Sequence, residues 1–265
     1  PAADAPCPEQ AFNATALKWH TCAWLLLPVL IFLAGWMHWY AALPLMLLTA
    51  AGLAPRKRKE PQTRDSLPAF PLFTRSSFLA LAAFAALMTL SGWGEWVNQH
   101  PDHIVRNACL RELVASPWPV IFPDGNMLVY NTGFWLVPAL AGKLAGLDAA
   151  RVLVVLWGAW GLFLTWLWLC VFSGRRSLLL ALLMAAFGSL LNFQCWLGLD
   201  LFRLHYFGTA EQIMCSANAS IPVLLFFIFL ASGRMPLPWI PLLFVATAFY
   251  SPLAALGGLP LAACQ

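Results

Sequence analysis

The chain has 265 residues and a net charge of +4, with 61% hydrophobic and only 10% charged residues. Its mean hydropathy is +0.75. Soluble domains run nearer half apolar and a quarter charged, so a water-soluble globular domain is excluded and an integral membrane protein is expected. Its partner is the lipid bilayer; no nucleic acid is expected.

Apolar runs recur at 21–36, 39–54, 77–93, 152–172, 177–193, 219–232 and 237–263. Crossing the bilayer core takes about 20 predominantly apolar residues. The expected fold class is therefore all-α: a polytopic membrane helix bundle of about seven spans, with amphipathic juxtamembrane helices in a first long extracytoplasmic loop. Residues 1–20 are polar and form an N-terminal cytoplasmic segment, with no cleavable signal peptide. The stretch 21–54 would be about 50 Å long as one helix, too long for a single crossing. Its aromatic middle, "GWMHWY" (35–40), suits a hairpin tip at the interface.

Residues 55–76 carry Arg56, Lys57, Arg58, Lys59, Arg64 and Arg75. Basic residues accumulate in short cytoplasmic loops, so this segment is placed inside. The core then runs over 77–265 and is expected to be truncated at its C-terminus, since the chain stops on "LPLAACQ". The next basic turn, "SGRRS" (173–177), requires an even number of crossings after Arg58. Spans 77–93 and 152–172 satisfy that. The run 131–147 contains Pro138 and Lys143, and a mid-bilayer Lys costs about 3 kcal/mol. It is expected as an interfacial or re-entrant helix inside an outside loop, 94–150. A second outside loop covers 194–218. Most acidic residues then share one side and most basic residues the other.

Seven cysteines are an odd number. Cys22, Cys170 and Cys264 lie in or beside apolar runs, and Cys109, Cys195 and Cys215 in polar loops. A Cys195–Cys215 disulfide would need an oxidising compartment; unpaired thiols are the expectation. No CxxC or Cys/His finger spacing is present, so no structural zinc site is expected. Asn13-Ala-Thr and Asn218-Ala-Ser match the glycosylation pattern, but the pattern is common and is set aside.

The stretch "NQHPDHIVRNACLREL" (98–113) concentrates charge in a chain that otherwise avoids it. Pro101 suits the first turn of a helix, and Asp102 complements its dipole. At 3.6 residues per turn, Asp102, His103, Arg106, Asn107 and Arg111 cover one arc and Ile104, Val105, Ala108 and Cys109 the other. Such a helix would lie at the interface with its polar arc toward water or a cavity. Asp102 is either a catalytic carboxylate or a helix-start residue paired with Arg106 at i+4. His100, Asp102 and His103, with Glu95 nearby, have metal-binding chemistry, but adjacent residues point different ways on a helix. No metal ligand is assigned; any cofactor stays unknown, with a divalent metal left open.

The order of these features resembles the GT-C superfamily of membrane glycosyltransferases, which includes the aminoarabinose transferases and protein O-mannosyltransferases. In that superfamily an early outside loop begins with an acidic residue opening a juxtamembrane helix, matched here by "PDHIVRNACLREL". A Trp-containing turn follows, matched by "SPWPVIFPDG". Then comes a second amphipathic helix, matched by "YNTGFWLVPALAGKLAGLDAARVL", and a span closing on "VFSGRR". The stretch "DHIVRNACLREL…WPV…LVYNTGFWLVPALAGKLAG" is also similar to a group of bacterial polytopic proteins. The resemblance covers 77–255 in order of parts and 102–146 in local motif. Asp102-His103 stands where an acidic pair is frequent, and "LVYNTG" replaces a "KPP"-type turn.

The resemblance implies transfer of a sugar from a polyprenyl-phosphate donor to an extracytoplasmic acceptor, in a bacterial inner membrane. Asp102 matches the position of the catalytic acid and would accept the acceptor's proton. A leaving phosphate needs cations, and Arg forks suit it best. Arg106, Arg111, Arg203 and His205 are candidates for sugar or phosphate contact, as are His103, Asp200 and Lys143. Each cation could equally anchor to lipid headgroups. Two alternatives remain: a transporter or flippase for a lipid-linked or small polar substrate, and a non-catalytic membrane assembly subunit. Spans 77–93, 152–172 and 177–193 contain no Asp, Glu, Lys or Arg, which counts against ion-coupled transport.

Overall fold

The computed structural model describes residues 8–54, 74–97, 99–187, 208–257 and 259–260. Helices account for nearly all of the regular structure there. In chain order they are α1 (Pro8–Trp36), α2 (Trp39–Leu53), α3 (Arg75–Leu90), α4 (Pro101–Ala115), α5 (Gly133–Ala145), α6 (Leu147–Ser173), α7 (Leu178–Ala186), α8 (Thr209–Ala231), α9 (Trp239–Tyr250) and α10 (Pro252–Gly257). A single isolated bridge, Ile121 to Met127, is the only β pairing among the described residues.

The chain is helical, but seven crossings are not what these helices support. Three are long and apolar enough to cross a membrane: Thr15–Trp36 within α1, Leu147–Ser173 and Thr209–Ala231. The other apolar helices are too short. With 15, 16 and 12 residues, α2, α3 and α9 reach only about 22, 24 and 18 Å at 1.5 Å per residue, against a core of about 30 Å. The apolar run at 177–193 contributes the nine residues of α7; its remainder falls largely outside the described residues. The first helix also starts at Pro8, well inside the segment read as a polar lead, because "EQAFNATALK" is rich in good helix formers.

Ring contacts and close approaches fix the directions of the long helices. Trp24 stacks on Trp157 at 5.0 Å, and His20 meets Trp160 edge-on at 5.6 Å, so α1 and α6 are antiparallel. Trp168 stacks on Phe229 at 4.4 Å, and Gly161 abuts Ile221, so α6 and α8 run together. Glycine permits these approaches. A Cβ on Gly161 would lie 2.5 Å from Ile221, and one on Gly158 only 2.3 Å from Met88. Close backbone contact through small residues is how helices gain packing energy when their surroundings are themselves apolar.

Several polar tips of the buried aromatics are satisfied inside the bundle, although the Trp157 Nε1 has no hydrogen-bond partner among the described residues. Trp24 Nε1 donates to the Trp157 carbonyl at 3.0 Å, Trp168 Nε1 to Thr21 Oγ1 at 2.8 Å, and the Tyr250 hydroxyl to the Trp24 carbonyl at 3.0 Å. One end of the bundle gathers Ser77 and Arg176, in hydrogen-bond contact. The other end holds α4, the α3–α4 connection and the start of α6.

Between them sits α5. Its first residues lie deep, with Gly133 against Phe249 and Tyr250 and Phe134 edge-on to Trp24. Its last turn returns to Val114 and Ala150 near the α4 end, where Gly142 meets both. The helix thus descends only partway along α6. It is covered on most sides, its buried residues including Phe134, Trp135 and Leu136.

Candidate functional site

Local sequence explains the start of α4. Pro101 takes the first helical position, where no N–H is needed, and Asp102 lies in the first turn. His100 caps the helix by accepting from the Asp102 N–H at 3.4 Å. The arcs read from the sequence turn out rotated: His103 and Arg106 face inward at 1% and 8% exposure, while Ile104 and Val105 face outward at 72% and 59%. The covered arc also holds Cys109, Leu110 and Leu113, while Asp102 and Arg111 stay exposed, so the face turned to the bundle mixes polar and apolar residues.

His103 pins three elements together. Its Nδ1 is 3.1 Å from the Gly92 carbonyl after α3, and its Nε2 is 2.9 Å from the Met214 carbonyl on α8. Trp93, beside it, donates from Nε1 to the Ile213 carbonyl at 2.8 Å. Both acceptors lie just before Ser216, where φ of −157° and ψ of 45° break the helical path of α8. The broken ladder turns the preceding carbonyls toward side chains across the interface.

Arg106 has 8% exposure and lies over Trp93 at 5.8 Å. Its Nη2 reaches Asp102 Oδ2 at 3.6 Å. Its Nε and Nη1 are buried without a hydrogen-bond partner among the described residues, as is Asn218 Oδ1 on α8. Buried donors are rarely left open in a folded protein. Asp102 itself is half exposed, with 53% of its side-chain surface accessible. A solvent-facing carboxylate thus stands beside a buried guanidinium with N–H groups to spare.

A second polar knot lies nearby. The Glu95 side chain is only 8% exposed and takes Arg111 Nη2 and Arg151 Nη2, both at 2.5 Å; Arg151 also reaches Asp148 at 2.8 Å. Glu95 has a positive φ of 68°, uncommon for a residue with a side chain. Burial pushes its carboxyl up, but hydrogen bonds from Arg111 and Arg151, then their charge, outweigh that and hold it below its usual range. This hub was not singled out as a site from the sequence. The only cue was an acid close after an apolar run, with its arginines distant along the chain.

The remaining candidates separate. Arg111 belongs to the Glu95 knot. Lys143 donates to the carbonyls of Val114 and Ser116 at 3.4 and 2.5 Å and lies 5.0 Å over the Trp118 ring. It therefore caps α4, where a cation complements the helix dipole. Asp200, Arg203, His205 and Cys195 fall outside the described residues. Cys109 and Cys215 sit on α4 and α8 rather than in loops, and both are free thiols. Burial pushes the Cys109 thiol up to about 12. Asn218 has 6% exposure, which closes it to glycosylation in this fold. Cys215 Sγ, a ring nitrogen of His100 and an Asp102 oxygen lie within 4.8 Å of one another.

No family model, curated protein or solved structure matches the chain.

Proposed function

We propose that the chain is a membrane glycosyltransferase that passes a sugar from a polyprenyl-phosphate donor to an extracytoplasmic acceptor, with Asp102 as base. The Asp102 end of the bundle faces outward from a bacterial inner membrane, and the Arg175–Arg176 end faces the cytoplasm. Asp102 takes the proton of the acceptor hydroxyl as that oxygen bonds to the anomeric carbon. The bond from that carbon to the donor phosphate breaks, and the phosphate leaves with the electron pair. Arg106 is suited to receive it, since a guanidinium binds phosphate through parallel N–H groups.

One observation carries this reading: an exposed carboxylate beside a buried arginine with two unpartnered donors. The α4 segment that holds them is also the stretch whose sequence resembles the GT-C pattern. The test uses the full chain with a polyprenyl-phosphate sugar and measures transfer to acceptor. Asp102→Asn should abolish transfer while leaving the fold intact; normal transfer would remove Asp102 from the mechanism.

A transporter or flippase is the second reading, favoured by the break in α8 at Ser216 and the partial descent of α5. Transporters use interrupted helices at their substrate sites. Movement of the labelled lipid donor across vesicles without any transfer would select it.

A further inference from the structure

The geometry points to a transition-metal site in this corner, formed by His100 Nδ1, the Asp102 carboxylate and Cys215 Sγ. One ligand atom from each of the three residues lies within 4.8 Å of the other two, and His100 Nδ1 is 3.7 Å from Asp102 Oδ2. Neighbouring ligands of a tetrahedral zinc stand about 3.5 Å apart, given bonds of about 2.0–2.3 Å. Side-chain adjustments of about 1 Å close the shell. The site shares Asp102 with the reading above, one carboxylate oxygen bound to the ion and the other left to take a proton, but its metal chemistry does not rest on sugar transfer.

Donor chemistry selects the ion. One thiolate, one imidazole and one carboxylate suit zinc or a similar borderline dication, and they are a poor set for magnesium or calcium, which take oxygen ligands. Binding exchanges the Cys215 S–H for an S–metal bond and releases one proton to solvent. Thiolate and carboxylate together then match the two charges of the ion. His100 Nδ1 carries its one lone pair unprotonated, held by a long 3.4 Å contact from the Asp102 N–H, and coordination exchanges that contact for the metal bond. Three protein ligands leave a fourth position open to water or substrate.

Preorganisation comes from a contact one residue away on each of the two helices. His103 Nε2 meets the Met214 carbonyl at 2.9 Å. Asp102 adjoins His103 and Cys215 adjoins Met214, so a part-buried hydrogen bond between their neighbours sets the ligand-bearing backbones in register. Trp93 holds Ile213 in the same way. Arg106 Nη2, 3.6 Å from the Asp102 carboxylate, is placed to orient that ligand from outside the metal shell.

The test is cobalt(II) titration of the purified full chain in detergent, followed by the near-ultraviolet band of a thiolate–cobalt bond. The wild type should show the band, lose it to one equivalent of zinc, and keep it in excess magnesium. Cys215→Ser should abolish it, Cys109→Ser should leave it, and His100→Gln should weaken binding about tenfold or more. Absence of the band, or its survival in Cys215→Ser, overturns the site. A second measurement needs no variant: zinc should slow alkylation of Cys215, read by peptide mass spectrometry, and an unchanged rate overturns the proposal as well. Sugar transfer is assayed separately, so metal binding without transfer, or transfer without metal binding, refutes one reading and spares the other.

Discussion

Glu95 and Asp102 stand at the same end of the bundle and are held in opposite ways. The Glu95 side chain is 8% exposed and gripped by two arginines, Arg111 and Arg151, at 2.5 Å each. Asp102 is 53% exposed and touches one arginine at 3.6 Å. In the first knot the acid is saturated and the bases share it. In the second the base is buried and has donors left over. A carboxylate whose lone pairs are all spoken for is fastening the loop to α4 and α6; one with open lone pairs and solvent access can take a proton.

That contrast is sharpest in activity. Asp102→Asn should reduce transfer by about 10²–10⁴-fold, the usual scale for a general base. Its unfolding free energy should change by less than about 1 kcal/mol, because the 3.6 Å pair is long and its carboxylate is half exposed to solvent. Glu95→Ala should do the reverse on stability. It leaves Arg151 and Arg111 without their shared anion, and denaturant unfolding in detergent should show a loss of about 2–3 kcal/mol. Breaking a fully buried pair costs about 3–5 kcal/mol, and Arg111 stays half in solvent. Equal stability losses in the two variants would erase the distinction.

Acid provides a smaller, graded version of the same experiment. Glu95 has its carboxyl held below the ordinary value of 4.5 in the fold. An acid with a depressed folded value contributes stability that is fully present above its unfolded value and is lost as pH falls through the folded one. The unfolding midpoint should therefore drop below pH 4.5, and Glu95→Gln should flatten that drop. Smallest of all is Lys143→Ala, which removes the cap on α4 and the contact with Trp118. About 1 kcal/mol of stability should go, with sugar transfer nearly unchanged; a large loss of transfer would instead make Lys143 a substrate contact.

Much of the coarse organisation was legible in the sequence. Hydropathy alone indicates a helical chain with membrane-length segments, and the break between α1 and α2 falls at Met37–His38, inside the aromatic stretch 35–40. Pro101 and Asp102 mark the start of α4 because their preferences act within one turn. The number of long spans was not legible, since an apolar run does not reveal where its helix stops. α2, α3 and α9 end after 15, 16 and 12 residues. Nor was the orientation of α4, where periodicity separates two arcs without saying which one the bundle covers. Cys215 shows the limit most clearly. Its proximity to His100 depends on α4 and α8 meeting more than a hundred residues apart, and on a break at Ser216 that lies six residues before the helix's proline, Pro222, rather than at it.

The unequal helix lengths carry a consequence for the surrounding lipid. A flank built on α2, about 22 Å long, meets a hydrocarbon layer of about 30 Å. Beside α6, with 27 residues, the layer fits or the helix tilts. Along the short flank the leaflets must pinch inward or the side chains at the helix ends must stretch to reach them.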